Sequence, residues 1–356
     1  MAGWPTELTV DIRPAARFDV IDVRRRTAEV HGDALDPYAR CLYHSLHTTA
    51  GYLEQSLASR LARLPSSVGP YVDLFRRLFP EGAPYEHDRL DRRRELTRAQ
   101  RALEPRNADS HLAFIAAGLR SCVPYRNMVG GPVCFVDLDG VHNGKPRRRL
   151  ATIVGYTEEV EVARARLAVP VSSHTVDSIN LKDARLGLYG QLIELVSRHG
   201  VTKGRIRIAL ADGERHAGLT VNEYETLLMR HDLAHVLRNP LRFAAEQGRH
   251  AWANPRAVPA KALDYAKYDM VRTFNTVFDA LGLRESIVER VLSRAIALPA
   301  ARFLRMKRSV SLLVSDRATG GRGAIIDGPY QSPILVQWHR ATSGARDLDV
   351  SITQFT

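Results

Sequence analysis

Apolar residues at Leu188, Leu192, Leu195 and Val196 fall on one helical face, and Gly200 follows as a C-terminal cap. This spacing predicts a helix over 186–199. Residues 205–210 then alternate charged and apolar, the pattern of a half-buried strand. A turn at Asp212-Gly213 leads into Ala217-Gly218-Leu219-Thr220-Val221-Asn222-Glu223. Helical periodicity follows over 224–237 until Asn239-Pro240 breaks it. The first half repeats this order less regularly. A strand is predicted at 40–44, followed by His47-Thr48-Thr49-Ala50-Gly51 and an amphipathic helix through Leu64. Each half closes on a β-hairpin pattern, 133–137 with 150–154 and 334–338 with 348–352. A fixed order of elements at long period predicts tandem duplication, with the boundary near 157–168. One large α+β domain without a repeat is the alternative.

Composition narrows the class. The 356 residues can build two ordinary domains, and 45% hydrophobic with 25% charged residues is a globular balance. Residues 1–10 are polar and contain Pro5, unlike a signal peptide, and charges interrupt every apolar run before it reaches membrane-spanning length. Cys41, Cys122 and Cys134 are widely spaced with no CxxC pair, so they read as reduced buried thiols in a cytoplasmic protein. A net charge of +12, with arginine runs at 24–26, 92–94 and 147–149, favours an anionic partner. No nucleic-acid-binding motif accompanies it, so the charge does not choose the anion, and a solvated basic surface is the plain alternative.

Candidate chemistry gathers on histidines. His47 follows a predicted strand, and His87-Asp88 follows the loop-forming stretch 80–84. Asn107 reads as the N-cap of a helix over 108–119, which sets His111 near the positive end of the helix. Three neutral imidazoles in separate elements can bind zinc or a similar divalent ion, or act as acid, base and anion clamp. Surface or hydrogen-bonded core histidines are the plain alternative. Two further patterns invite comparison with enzymes. His231-Asp232-Leu233-Ala234-His235 has the spacing of a zinc-protease helix, but its acid is the shorter aspartate. Asp137-Leu138-Asp139-Gly140 resembles the nucleophile motif of haloacid-dehalogenase-like phosphatases. The turn at 143–146 leads on to a strand rather than the helix that motif requires.

Several of these segments, in order and spacing, resemble the YjbQ-like family, also called secondary thiamine-phosphate synthases. They are His47-Thr48-Thr49-Ala50-Gly51, His87-Asp88, Asn107-Ala108-Asp109-Ser110-His111-Leu112 and Asp137-Leu138-Asp139-Gly140. The second half resembles the family through the strand at 204–210, the segment at 217–223 and Gly328-Pro329-Tyr330-Gln331. The resemblance implies an α+β fold of two tandem β-sandwich domains with helices packed on the sheets, spanning 1–157 and 165–356. It also implies a homo-oligomer or a pseudo-symmetric assembly.

The departures from the family pattern are complementary. The first copy has Gln55-Ser56 where the family has Asn-Glu, and Gly130-Gly131-Pro132 where it has Trp-Gln. The second keeps Asn222, Glu223 and Gln331, but has Glu214-Arg215-His216 for His-Thr-Thr and Lys267-Tyr268-Asp269 near the His-Asp step. This leaves two expectations. Either a composite site pairs the histidines of copy one with Asn222, Glu223 and Gln331, or copy two is a degenerate scaffold.

The reaction ascribed to the family joins a pyrimidine diphosphate to a thiazole phosphate with loss of pyrophosphate. By that resemblance the chain is expected to be a transferase- or lyase-like enzyme specialised for another anionic or phosphorylated metabolite, with no nucleotide cofactor. His47, His87, Asp88, His111, Glu223 and Gln331 are the candidates for catalysis. Thr48, Thr49, Asn107, Lys145, Arg147 and Asn222 are the candidates for substrate binding. His47, His87 and His111 are the candidate metal ligands. A non-catalytic anion- or nucleic-acid-binding protein is the contrasting class.

Overall fold

The computed structural model describes residues 4–62, 68–93, 96–128, 130–174, 176–224, 232 and 306–356. The expected helix at 224–237, His231, His235 and Lys267-Tyr268-Asp269 lie outside the described residues. The first half runs β1 (Thr6–Ile12), β2 (Asp19–Asp22), α1 (Val23–His31), β3 (Arg40–Ser45) and β4 (Ala50–Tyr52). Four helices follow, α2 (Gln55–Ala62), α3 (Val68–Leu78), α4 (Arg98–Leu103) and α5 (Ala108–Ala116). Then come β5 (Cys122–Arg126), β6 (Cys134–Asp137), the short pair β7 (Val141–His142) and β8 (Lys145–Pro146), and β9 (Arg149–Tyr156). The second half runs β10 (Glu159–Pro170), β11 (Asp177–Asn180), α6 (Leu188–Arg198), β12 (Gly204–Leu210) and β13 (Ala217–Asn222). It ends with β14 (Ser309–Ser315), β15 (Ala324–Ile326), β16 (Ser332–Gln337) and β17 (Ala345–Phe355).

The sheets state the duplication in their topology. A wide antiparallel sheet has the order β1-β9-β3-β5 in the first half and β10-β17-β12-β14-β15 in the second. A narrow sheet has the order β2-β6-β4 in the first and β11-β16-β13 in the second. Registers agree as well as orders. Asp137 faces both Asp19 and Ala50, and Gln337 faces both Asp177 and Ala217. Even the isolated bridge Tyr52–Arg120 has its counterpart in Leu219–Lys307. Local signals built these elements as expected. In α6, Leu188, Leu192 and Val196 are buried, and Gly200 takes φ 61° beyond the helix end, with its N–H on the Ser197 carbonyl.

The two expected hairpins are not hairpins. β6 lies in the narrow sheet and β9 in the wide one, and β16 and β17 are divided in the same way. Alternation shows that a segment is a strand with one apolar face, but leaves its partner open. In both halves the chain crosses between sheets at this point. Between the two sheets of the first half lie Val10, Ile12, Tyr43, Tyr52, Phe135 and Ile153. In the second, Ile206, Ile208, Leu219, Leu335 and Val350 form the core with α6.

Two compact units emerge, and each draws on both halves of the sequence. The first comprises Met1–Gln55, Gly118–Tyr224 and Met306–Thr356 and holds all the described strands. The second comprises Ser56–Ala117 and Glu225–Arg305. Within it α3 packs on α5, and the Tyr71 hydroxyl donates to the Ala117 carbonyl at 3.1 Å. α5 is buried along its whole length, the polar Asp109, Ser110 and His111 of its first half included. It stops at Ala116, short of the expected 119.

Candidate functional site

In the strand-bearing unit, the His-Thr-Thr loop connects β3 to β4. His47 Nε2 accepts the Leu150 backbone N–H at 3.1 Å, so its proton belongs on Nδ1. Burial, followed by the charges of Arg149 and Arg147, presses the His47 pKa down to about 3. The Thr49 hydroxyl lies 3.4 Å from Arg149 Nη2. Two side chains of the second half meet this loop at its backbone. Gln331 Nε2 donates to the carbonyls of Ser45 (2.8 Å) and His47 (2.9 Å), and Asn222 Nδ2 donates to that of Thr48 (3.1 Å). Gln331 sits at the end of a tight turn in which its own N–H reaches the Gly328 carbonyl and its Oε1 accepts the Gly328 N–H. Only glycine fits at that turn, because a Cβ on residue 328 would stand 2.3 Å from the Leu46 carbonyl oxygen. Glu223 follows β13, half-buried, and its N–H donates to Asn222 Oδ1 at 2.8 Å.

Beside this loop Arg149, the last of the arginine run at 147–149, is buried. Arg149 donates to Asp137 at 2.7 and 2.9 Å and to the Asp139 carbonyl at 2.7 Å. Asp137 is thereby committed, and the chain continues into β7 and β8 instead of a helix, so the phosphatase reading falls. Arg147 pairs with Asp139 at 2.9 Å, and Lys145 is exposed on β8. All three cysteines are free and buried, and burial raises their thiols to about 11 (Cys41, Cys134) and 12 (Cys122), too high for nucleophiles.

The other unit holds His87, Asp88, Asn107 and His111. His87 Nδ1 bonds Asp88 Oδ1 at 2.9 Å, and the same oxygen accepts the Ala108 N–H at 3.1 Å. Asn107, the expected N-cap, makes no side-chain capping bond, and the Asp88 carboxylate reaches the first turn of α5 instead. Asp232 accepts the N–H groups of Glu86 and His87, both at 2.9 Å, so the acid between His231 and His235 braces the His87 loop. Burial raises the Asp232 carboxyl against the pull of those two bonds. Arg93 is 1% exposed, pairs with Glu104 at 2.9 Å and brings Nη1 to 3.4 Å from His87 Nε2. A guanidinium only donates, so Nε2 is the acceptor and Nδ1–H faces Asp88. The His111 ring is buried 5.3 Å from that of His87, with ligand nitrogens of the two within 4.8 Å. Arg93 was one of a run that reads as solvated surface. Only the acid-rich segment before it, Glu86 to Asp91, hinted otherwise.

Of the three candidate ligands, His87 and His111 bring ligand nitrogens within 4.8 Å of each other. The His47 Nε2 lone pair receives a backbone N–H, and His87 Nε2 faces a cation. The arrangement around His87 suits an acid–base group beside an anion.

No family model matches the chain, and no curated protein does. Solved structures similar to it include a YbjQ-like protein of unknown function from Sulfolobus solfataricus, at 16% identity and TM-score 0.30, covering 55% of this chain and 99% of that one. A hypothetical protein from Aeropyrum pernix is similar at 14% identity and TM-score 0.29, covering 54% and 99%. An uncharacterized yjbq/upf0047 family protein from Clostridium acetobutylicum is similar at 12% identity and TM-score 0.27, covering 53% and 98%. Each of these similarities covers about half of this chain and nearly all of the other.

Proposed function

We propose that the protein is an enzyme of transferase or lyase type whose histidine site acts on a small anionic or phosphorylated metabolite. The observation that carries this reading is the buried His87 ring held between the Asp88 carboxylate and the Arg93 guanidinium. Asp88 fixes the Nδ1–H tautomer, and Nε2 is freed to take a proton when an anionic group draws the Arg93 guanidinium to itself. Arg93 supplies the positive charge that an anionic group needs where water is excluded. His111, alongside, is the second group able to give or take a proton. The net charge of +12 draws anions toward the molecule.

The test is turnover of phosphorylated metabolite pools by the full chain, followed by mass spectrometry. His87→Ala is expected to lose about 10²-fold or more, the usual weight of a general acid–base group. Arg93→Met should weaken substrate binding. Equal turnover in wild type and His87→Ala would defeat the proposal. Anion binding without turnover in either would favour the binding-protein reading.

A further inference from the structure

We infer that His47, Asn222 and Gln331 are positioning residues, which grip the 45–49 loop from two sides and set the path of its backbone. The inference goes beyond the His87 site and does not depend on it.

Equivalent positions in the two halves carry the first part. β3 ends at Ser45, which faces Ala151, so the next N–H along β9, that of Leu150, runs past the end of its partner strand. His47 Nε2 supplies the missing acceptor. In the second half β12 ends at Leu210, facing Leu348, and the next N–H along β17 is that of Asp347. Glu214 Oε1 accepts it at 2.9 Å. Leu150 follows Arg149 and Asp347 follows Arg346, and these two arginines are equivalents in geometry as well as register. Arg149 Nη2 donates to the Asp139 carbonyl at 2.7 Å, and Arg346 Nη2 donates to the His339 carbonyl at 2.6 Å. Arg149 Nε reaches Asp137, and Arg346 Nε reaches Gln337, the residue in the equivalent register position. An imidazole and a carboxylate have therefore come to do the same thing at one place in the frame. Each adds a side-chain rung to the end of a ladder.

The opposite side of the loop carries the second part. Both hydrogens of Gln331 Nε2 go to backbone carbonyls of the first half, its Oε1 is taken by Gly328, and the side chain is 1% exposed. Asn222, fully buried, gives Nδ2 to Thr48 and takes the Glu223 N–H on Oδ1. The amides that the second half retains thus serve the backbone of the first. This is a division of labour in which one copy presents the loop and the other holds it.

The test uses the full chain and needs no substrate. Hydrogen exchange is read over 45–50 and over 188–198, and the histidine rings are followed by nitrogen NMR. His47→Ala and Gln331→Glu should speed exchange in the loop about ten-fold, the weight of one lost hydrogen bond, and leave 188–198 unchanged. His47→Glu, which installs the acceptor used by the other half, should restore protection. The His47 ring should keep its proton on Nδ1 from pH 5.5 to 8, with or without added zinc. A ring that titrates in that range, a His47 resonance displaced by zinc, or a His47→Glu variant as loose as His47→Ala would overturn the assignment. If His47→Ala does not fold, His47→Glu and the ring spectra still decide it.

Discussion

Two histidines in the first half are kept neutral by their surroundings, and that has a measurable cost. Burial lowers His44 to about 4, against the opposing charge of Asp327, and His47 to about 3. His44 Nδ1 is buried and, among the described residues, without a hydrogen-bond partner. In the unfolded chain both rings titrate near 6.5. From that pH down to about 4, the unfolded state binds protons that the folded state does not. Stability is therefore full above pH 6.5 and falls as pH drops through this window, by up to about 1.4 kcal/mol per pH unit for each ring. Urea midpoints should decrease from pH 7 to pH 5. His47→Gln, whose amide oxygen can still accept the Leu150 N–H, should remove a large part of that slope while leaving the pH 7 midpoint near wild type. An unchanged slope would mean that His47 titrates normally in the folded protein.

Elements were legible from the chain where their signal is local. α6 announced itself through Leu188, Leu192 and Val196 and its glycine stop, and β12 through the alternation that buries Ile206, Ile208 and Leu210. Partner choice was not legible, because Cys134–Asp137 and Arg149–Tyr156 look like consecutive strands whether they pair or part. Nor was the company kept by Arg93 and Arg149, whose acids lie 11 and 12 residues away, beyond any local pattern. The Gly328 turn is intermediate. Its motif was visible, but its reason is the closeness of Leu46. Gly328→Ala forces a Cβ to within 2.3 Å of a backbone oxygen, so the turn must shift and carry Gln331 with it. A loss of about 1–3 kcal/mol is expected in chemical denaturation. Gly190, inside α6 with nothing within 4 Å of an added Cβ, is the control. There alanine should stabilise by up to about 1 kcal/mol. Equal effects at the two sites would show that helix propensity, not the Leu46 contact, governs both.

At the scale of the strand-bearing unit, the halves are joined through the faces of their wide sheets that point away from their own cores. Leu42, Cys122, Val154 and Tyr156 of the first half pack with Leu313 and Phe355 of the second. The rings of Tyr156 and Phe355 stack at 4.0 Å and 7°. The chain tightens this seam where one half passes into the other, with the Thr157 N–H on the Thr356 carbonyl at 2.7 Å and the Tyr156 hydroxyl on Glu159 at 2.5 Å. A strand buried on both faces needs apolar residues on both. β3 has them in Cys41, Leu42 and Tyr43, a run that a half-exposed strand would break with polar positions. Such a seam should make the two sandwiches one cooperative block, because opening either wide sheet would uncover the other. Removing the Phe355 ring should cost about 3–5 kcal/mol. In Phe355→Ala, hydrogen exchange should accelerate by the same factor in β3 and in β12, although the substitution lies in the second half alone. Acceleration confined to β12 would mean that the copies fold independently and merely touch.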